Sequence, residues 1–151
     1  CMIHSLEHCL NPLLAMQNAA SLVAPGGRLV CEVPNHACAG FAVTGPAWFH
    51  TDAGRHLWFF TPKSLAGLAQ VAGLTEAAFE FSGFARQFGW LRAEQDVWDA
   101  LFRDGNRGLL PRPRRPSVAT HLLILLRALI GKVEQRFDSV RLIARKPTIN
   151  P

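Results

Sequence analysis

The sequence predicts an α/β fold, in which one sheet packs against helices. Residues 1–35 have the pattern of a loop, a helix, a tight turn and a buried strand in direct succession. This succession is typical of sheets whose strands are joined by helices. The segment 139–145 alternates apolar and polar residues, as a half-buried strand does. We therefore expect a sheet whose strands are joined by helices, with a further strand at 139–145.

The first helix is expected at about 12–24. Asn11 is a favourable N-cap, and Pro12 suits the first helical position because the nitrogen there needs no hydrogen bond. Apolar residues follow at close to helical spacing. The Pro-Gly-Gly turn at 25–27 ends the helix, and the apolar run 28–34 is expected to be a strand.

A long loop with many aromatic residues and glycines is expected next, over residues 36–60. Thr61 and Pro62 then repeat the N-cap and proline pattern, which predicts a helix that runs to Val71 and stops before Gly73. The segment 75–81 is expected to be a strand.

Four motifs occur in a fixed order: a Glu7-His8 pair, the Pro-Gly-Gly turn, a strand that ends in Pro34-Asn35, and the segment WFHTDAGRHLWFFT at 48–61. Together they resemble the second half of class I S-adenosylmethionine-dependent methyltransferases, in particular the branch of ubiquinone-biosynthesis O-methyltransferases. The resemblance covers residues 7–73 and then the strand near 139–146. It implies a partial Rossmann-like sheet with an antiparallel edge strand and a helical insertion.

The resemblance also implies that S-adenosylmethionine is the cofactor. Members of this family bind it mainly through a glycine-rich loop after their first strand and an acidic residue that ends the second. The 151 residues contain neither feature, so the cofactor-binding residues stay unassigned. We expect the chain to be the C-terminal half of a longer methyltransferase and to be inactive alone.

Three segments are expected within the chain. Residues 1–84 form half of the methyltransferase core, residues 85–138 form a helical insertion or lid, and residues 139–151 form the closing edge strand and tail. The insertion is expected to hold an amphipathic helix at about 90–103 and a second helix at about 117–133. The second helix is apolar nearly all round. It either packs against the core or a partner chain, or docks on a membrane surface.

Charge and composition exclude several classes of protein. The chain has a net charge of +5, but residues 1–84 carry −2 and residues 85–151 carry +7. The arginines of the basic half cluster at positions 107, 112, 114 and 115 without interleaved aromatic residues, so we expect no nucleic-acid partner. Four cysteines without a secretory leader indicate reduced thiols and a cytoplasmic location. That location becomes peripheral to the membrane if the second insertion helix docks there.

The Glu7-His8 pair is the candidate catalytic pair. Methyl transfer requires alignment of the reactants, and a base only where the acceptor must lose a proton. A phenol titrates near 10 and an imidazole ordinarily near 6.5, so His8 could serve as a modest base. Glu7 would orient His8 or cap the following helix. We expect an oxygen of a small molecule or of a glycan or lipid precursor as the acceptor.

A second group of residues is expected to bind the acceptor: Asn35, His50, Arg55 and His56. The resemblance places the segment 48–61 over the mouth of the site, where a guanidinium could bind an acidic group. In the alternative interpretation Asp52 pairs with Arg55, and His56 packs beneath residues 57–59.

Two other functions stay open at this stage. The pattern H-x-x-E-H formed by His4, Glu7 and His8 resembles an inverted zinc-peptidase motif, with Glu76 or Glu80 as a further ligand. The methyltransferase interpretation predicts no metal at this motif. The third class is a noncatalytic remnant that acts through the apolar insertion.

Overall fold

The computed structural model describes residues 1–52, 54–88 and 117–148. Its strands are β1 (Met2–Ile3), β2 (Arg28–Pro34), β3 (Thr75–Ser82) and β4 (Ser139–Arg145). Its α-helices are α1 (Pro12–Ser21), α2 (Ala39–Thr44), α3 (Pro62–Val71) and α4 (Val118–Ile130). The expected helix at 90–103 lies outside the described residues.

The four strands form one mixed sheet in the order β1-β2-β4-β3. β1 is parallel to β2, whereas β4 is antiparallel to both of its neighbours. The expected α/β fold is confirmed, with one correction to the position of the antiparallel strand. β4 lies between β2 and β3, and β3 forms the edge. β4 buries every second residue and is paired on both sides, while most residues of β3 are exposed, as suits an edge strand.

The two predicted helix starts have the expected caps. The side chain of Asn11 accepts a hydrogen bond from Leu14 N at 2.9 Å, and Thr61 forms a reciprocal capping box with Ser64. α1 ends at Ser21, three residues before its expected end. Gly26 then adopts a φ of +76° in the turn, a conformation that suits glycine.

Most of the core lies between the sheet and the helices α1 and α3. Its larger buried side chains are Leu6, Met16, Leu29, Val33, Phe60, Leu65, Leu74, Val140 and Leu142. A second, smaller cluster joins α2 to α4 through Ala39, Phe88, Ile124 and Ala128. The loop expected at 36–60 therefore contains a helix, α2, that supports α4.

The sheet topology brings four chain segments to one edge. β1, β2 and β3 all run in the same direction, because β2 and β3 are each antiparallel to β4. Their carboxyl ends therefore meet at the edge where β4 begins. In open α/β sheets this edge is the usual ligand site. Here it gathers residues 4–8, 35–36, 83–86 and Asp138.

Candidate active site

A short turn after β1 positions Glu7 and His8. Leu6–His8 forms a single 3-10 turn, in which the side chain of Glu7 is 1% exposed. The backbone oxygen of Glu7 accepts hydrogen bonds from the backbone nitrogens of Leu57 and Trp58, at 2.8 and 3.2 Å. The indole nitrogen of Trp58 also donates to the backbone oxygen of Cys9, at 2.8 Å. Segment 55–58 is thereby fastened onto the turn that holds the catalytic candidates.

This attachment brings His8 and His56 into contact. Their ring centroids lie 4.7 Å apart in an edge-to-face arrangement. His8 Nδ1 lies 2.9 Å from the backbone oxygen of Arg55, and His56 Nδ1 lies 2.8 Å from the backbone oxygen of His50. A carbonyl oxygen can only accept, so each Nδ1 must carry the hydrogen and donate it. When either ring is neutral, Nε2 therefore carries its lone pair.

The buried carboxylate of Glu7 faces these rings without a well-formed hydrogen bond. Its oxygen Oε1 lies 3.4 Å from His4 Nδ1 and 3.9 Å from His8 Nε2, and neither carboxylate oxygen has a hydrogen-bonding partner. Burial acts to raise the pKa of Glu7, but interactions with His4, with its own backbone and with His56, when that ring is protonated, outweigh the effect of burial. The pKa of Glu7 is therefore held below its ordinary value, and the carboxylate is ionised at neutral pH.

Glu7, His8 and His56 together form a cluster of hydrogen-bond acceptors. One potential ligand atom from each residue lies within 4.8 Å of the others. Burial also lowers the pKa of His56, which favours its neutral ring, and its Nε2 atom lies 3.8 Å from Asp52 Oδ2. Acceptors that converge in this way suit a group that brings a proton, such as a hydroxyl, or a cation.

The zinc-peptidase arrangement of His4 and His8 does not form. That motif needs both histidines on one face of a helix. Here the turn spans only Leu6–His8, and His4 precedes it with a φ of +45°. The two rings of His4 and His8 instead approach the same Glu7 oxygen. Within the part of the chain that the structure describes, the group that could hold a metal contains Glu7, His8 and His56, so His56 takes the place of His4.

The remaining acceptor-binding candidates have other contacts. Asn35 is fully buried, and its side-chain amide donates to the backbone oxygens of Glu134 and Phe137 at 2.6 and 2.9 Å. Arg55 pairs with Asp52, as in the alternative interpretation. These contacts give Asn35 and Arg55 structural roles, and their binding of an acceptor stays a prediction.

His50 belongs to a buried junction around Asp138. Its Nε2 lies 3.2 Å from Asp138 Oδ2, while Arg86 donates to the other carboxylate oxygen at 3.0 Å. Asp138 is completely buried, and Ser139 adds a contact at 3.2 Å. The junction joins the loop after β2 and the segment after β3 to the start of β4. His50 is therefore tied to the scaffold beside the Glu7 cluster.

His36 is a site candidate that the sequence interpretation missed. It follows Asn35 at the end of β2 and packs among Phe41, Trp48 and Phe59, with ring centroids 4.6 to 4.9 Å from its own. Neither ring nitrogen has a hydrogen-bonding partner. Burial lowers the pKa of His36 to about 4, so its ring is neutral at pH 7. Only its position directly after Asn35 could have drawn attention to it.

The cysteines are free thiols, and two of them are poor nucleophiles. Cys31 and Cys38 are buried, and burial raises the pKa of each to about 12. Thiolates at these positions would be scarce at neutral pH. We therefore expect neither Cys31 nor Cys38 to act as a nucleophile.

Family and structural comparisons support the fold and the class of protein. Residues 1–77, just over half of the chain, match the family model described as a methyltransferase domain. The chain belongs to this methyltransferase family. No curated protein sequence matches it at a significant level.

Two solved structures share the fold. A S-adenosylmethionine-dependent methyltransferase from Archaeoglobus fulgidus has a TM-score of 0.51 and 15% identity, over 96% of this chain and 57% of its own. The [4+2]-cyclase SpnF has a TM-score of 0.55 and 19% identity, over 98% of this chain and 50% of its own. This chain thus spans about half the length of the structures it resembles. The Rossmann-like methyltransferase fold is confirmed, whereas the ubiquinone-biosynthesis branch stays a prediction.

Proposed function

We propose that the whole protein transfers a methyl group from S-adenosylmethionine to an oxygen of a small molecule or of a glycan or lipid precursor. The family match supports methyl transfer, and the Glu7 cluster supports an acceptor with a hydroxyl group. The fold alone would not be sufficient support, since SpnF, which has the same fold, is a cyclase. A phenolic acceptor, as in the ubiquinone-biosynthesis branch, is the narrower form of this proposal.

One observation carries the proposal: a buried, ionised Glu7 carboxylate lies 3.9 Å from the Nε2 atom of His8. Buried polar atoms in folded proteins nearly always have hydrogen-bonding partners. The carboxylate of Glu7 and the Nε2 lone pair of His8 instead face each other without a hydrogen between them. An acceptor hydroxyl that enters this gap supplies the missing hydrogen. The geometry therefore fits an acceptor that must lose a proton.

The role of each side chain follows from this geometry. His8 Nε2 takes the proton of the hydroxyl, while the hydrogen bond from Nδ1 to Arg55 O keeps the ring in place. The imidazolium that results lies beside the Glu7 carboxylate, whose negative charge stabilises it. His56 packs edge-on against His8 and restricts its rotation. The chain thus supplies a base, a counter-ion and a fixed orientation.

S-adenosylmethionine, when bound, supplies a methyl group on a positively charged sulfur. The side chains of this edge fit the acceptor half of such a site, since they offer lone pairs and negative charge to a hydroxyl. We assign no cofactor-binding residue in this chain. The 151 residues alone are expected to bind S-adenosylmethionine weakly, with a Kd of about 1 mM or above, and to be inactive.

Replacement of His8 in the whole protein tests the proposal. We expect His8→Gln to lower kcat by about a hundredfold or more, with little change in the affinity for S-adenosylmethionine. His121→Gln is the matched control, because His121 bonds the backbone oxygen of Phe88 outside the cluster. An unchanged kcat with a phenolic acceptor would exclude His8 as the base.

A divalent cation is the second candidate occupant of the cluster, since Glu7, His8 and His56 offer atoms within 4.8 Å of one another. Elemental analysis of the wild type and of His8→Gln and His56→Gln separates the two possibilities. One tightly held metal ion per chain, lost on replacement of either histidine, would favour the cation over a bare imidazole base. The noncatalytic alternative would be supported if the whole protein showed no transfer to any hydroxyl acceptor.

A further inference from the structure

Helix α4 exposes an unusually large apolar surface to solvent. Seven of its aliphatic side chains are between 37% and 77% exposed: Val118, Leu122, Leu123, Leu125, Leu126, Leu129 and Ile130. Val133, just beyond the helix, is 56% exposed. Single exposed apolar residues are common in soluble proteins, but a continuous patch on one element marks an interaction surface.

The opposite side of α4 packs against the rest of the fold. Ile124 and Ala128 are completely buried against α2, and His121 Nε2 donates to the backbone oxygen of Phe88 at 2.8 Å. These residues recur at helical spacing and form one narrow stripe. With about 100° per residue, the exposed aliphatic residues fill a continuous arc of about 160° on the other side. Only one narrow stripe of this almost wholly apolar helix therefore packs against the rest of the fold.

The charges around this arc are mostly basic, and the half-buried Glu134 after Val133 is the acidic exception among the described residues. The segment 117–130 contains no acidic residue, and Arg127 lies exposed at the border between the arc and the buried stripe. Lys132 is exposed just after the helix. In the sequence, the segment 104–116 before the helix adds arginines at 107, 112, 114 and 115. An apolar arc bordered by cations fits a partner surface that has an apolar interior and a negatively charged outer layer.

We propose that α4 docks in the plane of an anionic lipid surface, with its aliphatic arc among the acyl chains and its basic residues at the phosphate groups. No helix among the described residues is long and apolar enough to cross a membrane, so this contact is interfacial. Long basic side chains at the border of such a helix can reach the headgroups while their stems stay apolar.

A second copy of the chain is a less suitable occupant. A symmetric contact through the arc would place the same patch of both chains face to face. The basic residues at the border and after the helix would then face a second surface that carries the same basic residues, and like charges repel. Anionic lipid headgroups carry the opposite charge and therefore attract the same basic residues. The charge distribution therefore favours the lipid surface.

Sedimentation with lipid vesicles tests the proposal on the whole chain. We expect binding to vesicles that contain phosphatidylglycerol, with much weaker binding to pure phosphatidylcholine and to either at high salt. Leu123→Glu together with Leu126→Glu should lower the partition coefficient by at least ~100-fold, because two side chains lose their apolar burial. Leu10→Glu with Leu22→Glu is the matched control, since both leucines are 89% exposed outside α4.

The outcomes separate lipid from self-association. Loss of vesicle binding in the α4 variant but not in the control supports the proposal, provided that both melt at wild-type temperatures. A chain that ignores vesicles but forms dimers, detected by light scattering and lost in the α4 variant, would overturn it in favour of a second copy. A monomer that ignores vesicles would refute docking by α4 altogether.

Discussion

The replacement of His36 by phenylalanine is expected to flatten the dependence of stability on pH. His36 lies in an aromatic surround formed by Phe41, Trp48 and Phe59, and neither ring nitrogen is hydrogen-bonded. A phenylalanine fills the same surround without a group that titrates near neutrality. The substitution therefore removes a proton-binding site and keeps the packing.

The size of the effect follows from the lowered pKa of His36. Burial lowers it from 6.5 to about 4, so between these values the unfolded chain binds a proton that the folded chain does not. Stability must then fall as pH decreases through this window. Between pH 7.5 and pH 5 the loss amounts to about 2 kcal/mol of unfolding free energy at 1.36 kcal/mol per pKa unit.

Other groups do not obscure this comparison. His56 also has a lowered pKa and contributes in the same direction, but it is present in both proteins and cancels. The stability that ionised Glu7 contributes is lost only as pH falls through its lowered pKa, below 4.5. His50 is the other histidine whose charge acts on His36, and it too is common to both proteins.

Urea denaturation at pH 7.5 and pH 5 measures the effect. Wild type should lose about 2 kcal/mol more than His36→Phe between these pH values. Phe81→Leu is the control for packing, because Phe81 packs against the main core and makes no ring contact with His36: it should lower stability at both pH values and leave the slope unchanged. Equal slopes in wild type and His36→Phe would refute the argument, because His36 would then titrate in the same way in folded and unfolded chains.

Two further predictions concern the sheet edge. Glu7→Gln in the whole protein should lower kcat by about tenfold to a hundredfold, because the imidazolium formed on His8 loses its counter-ion; an unaltered pH–rate profile would argue against this role. Gly83→Ala should destabilise the chain by about 1–3 kcal/mol, since a Cβ there would overlap the Asp138 carboxylate. Gly73→Ala, at a similar positive φ but with open space around it, is the control in thermal unfolding; equal losses would show that backbone strain alone is responsible.

Local signals were sufficient to predict most elements of the fold. The caps at Asn11 and Thr61, each followed by proline, located the starts of α1 and α3. The position of β4 was harder to predict. Alternation along 139–145 indicates a strand with one buried face, but it does not indicate how many neighbours pair with that strand. α2 was missed because its N-cap is Cys38, a residue type that is not a usual capping signal.

The site could be predicted only in part, because it depends on contacts distant in sequence. Glu7 and His8 were selected by their position after a strand. His56 was placed with His50 and Arg55, its neighbours in sequence, and nothing local distinguishes the three. The structure separates them by their contacts. His56 bonds the backbone oxygen of His50 through Nδ1 and lies in the Glu7 cluster, with Nε2 3.8 Å from Asp52 Oδ2. His50 instead bonds the carboxylate of Asp138.

Hydrogen bonds join segment 55–58 to the turn at 6–8, and these bonds determine which side-chain atoms of the site stay reactive. The contact uses backbone atoms of Glu7 and leaves its side chain free of hydrogen bonds. It also occupies Nδ1 of His8 with the oxygen of Arg55, which leaves Nε2 as the basic atom. A different fold of this loop would expose Glu7 to water and free the His8 ring to rotate. The basicity proposed for His8 is therefore a property of the closed loop and not of the Glu7-His8 pair alone.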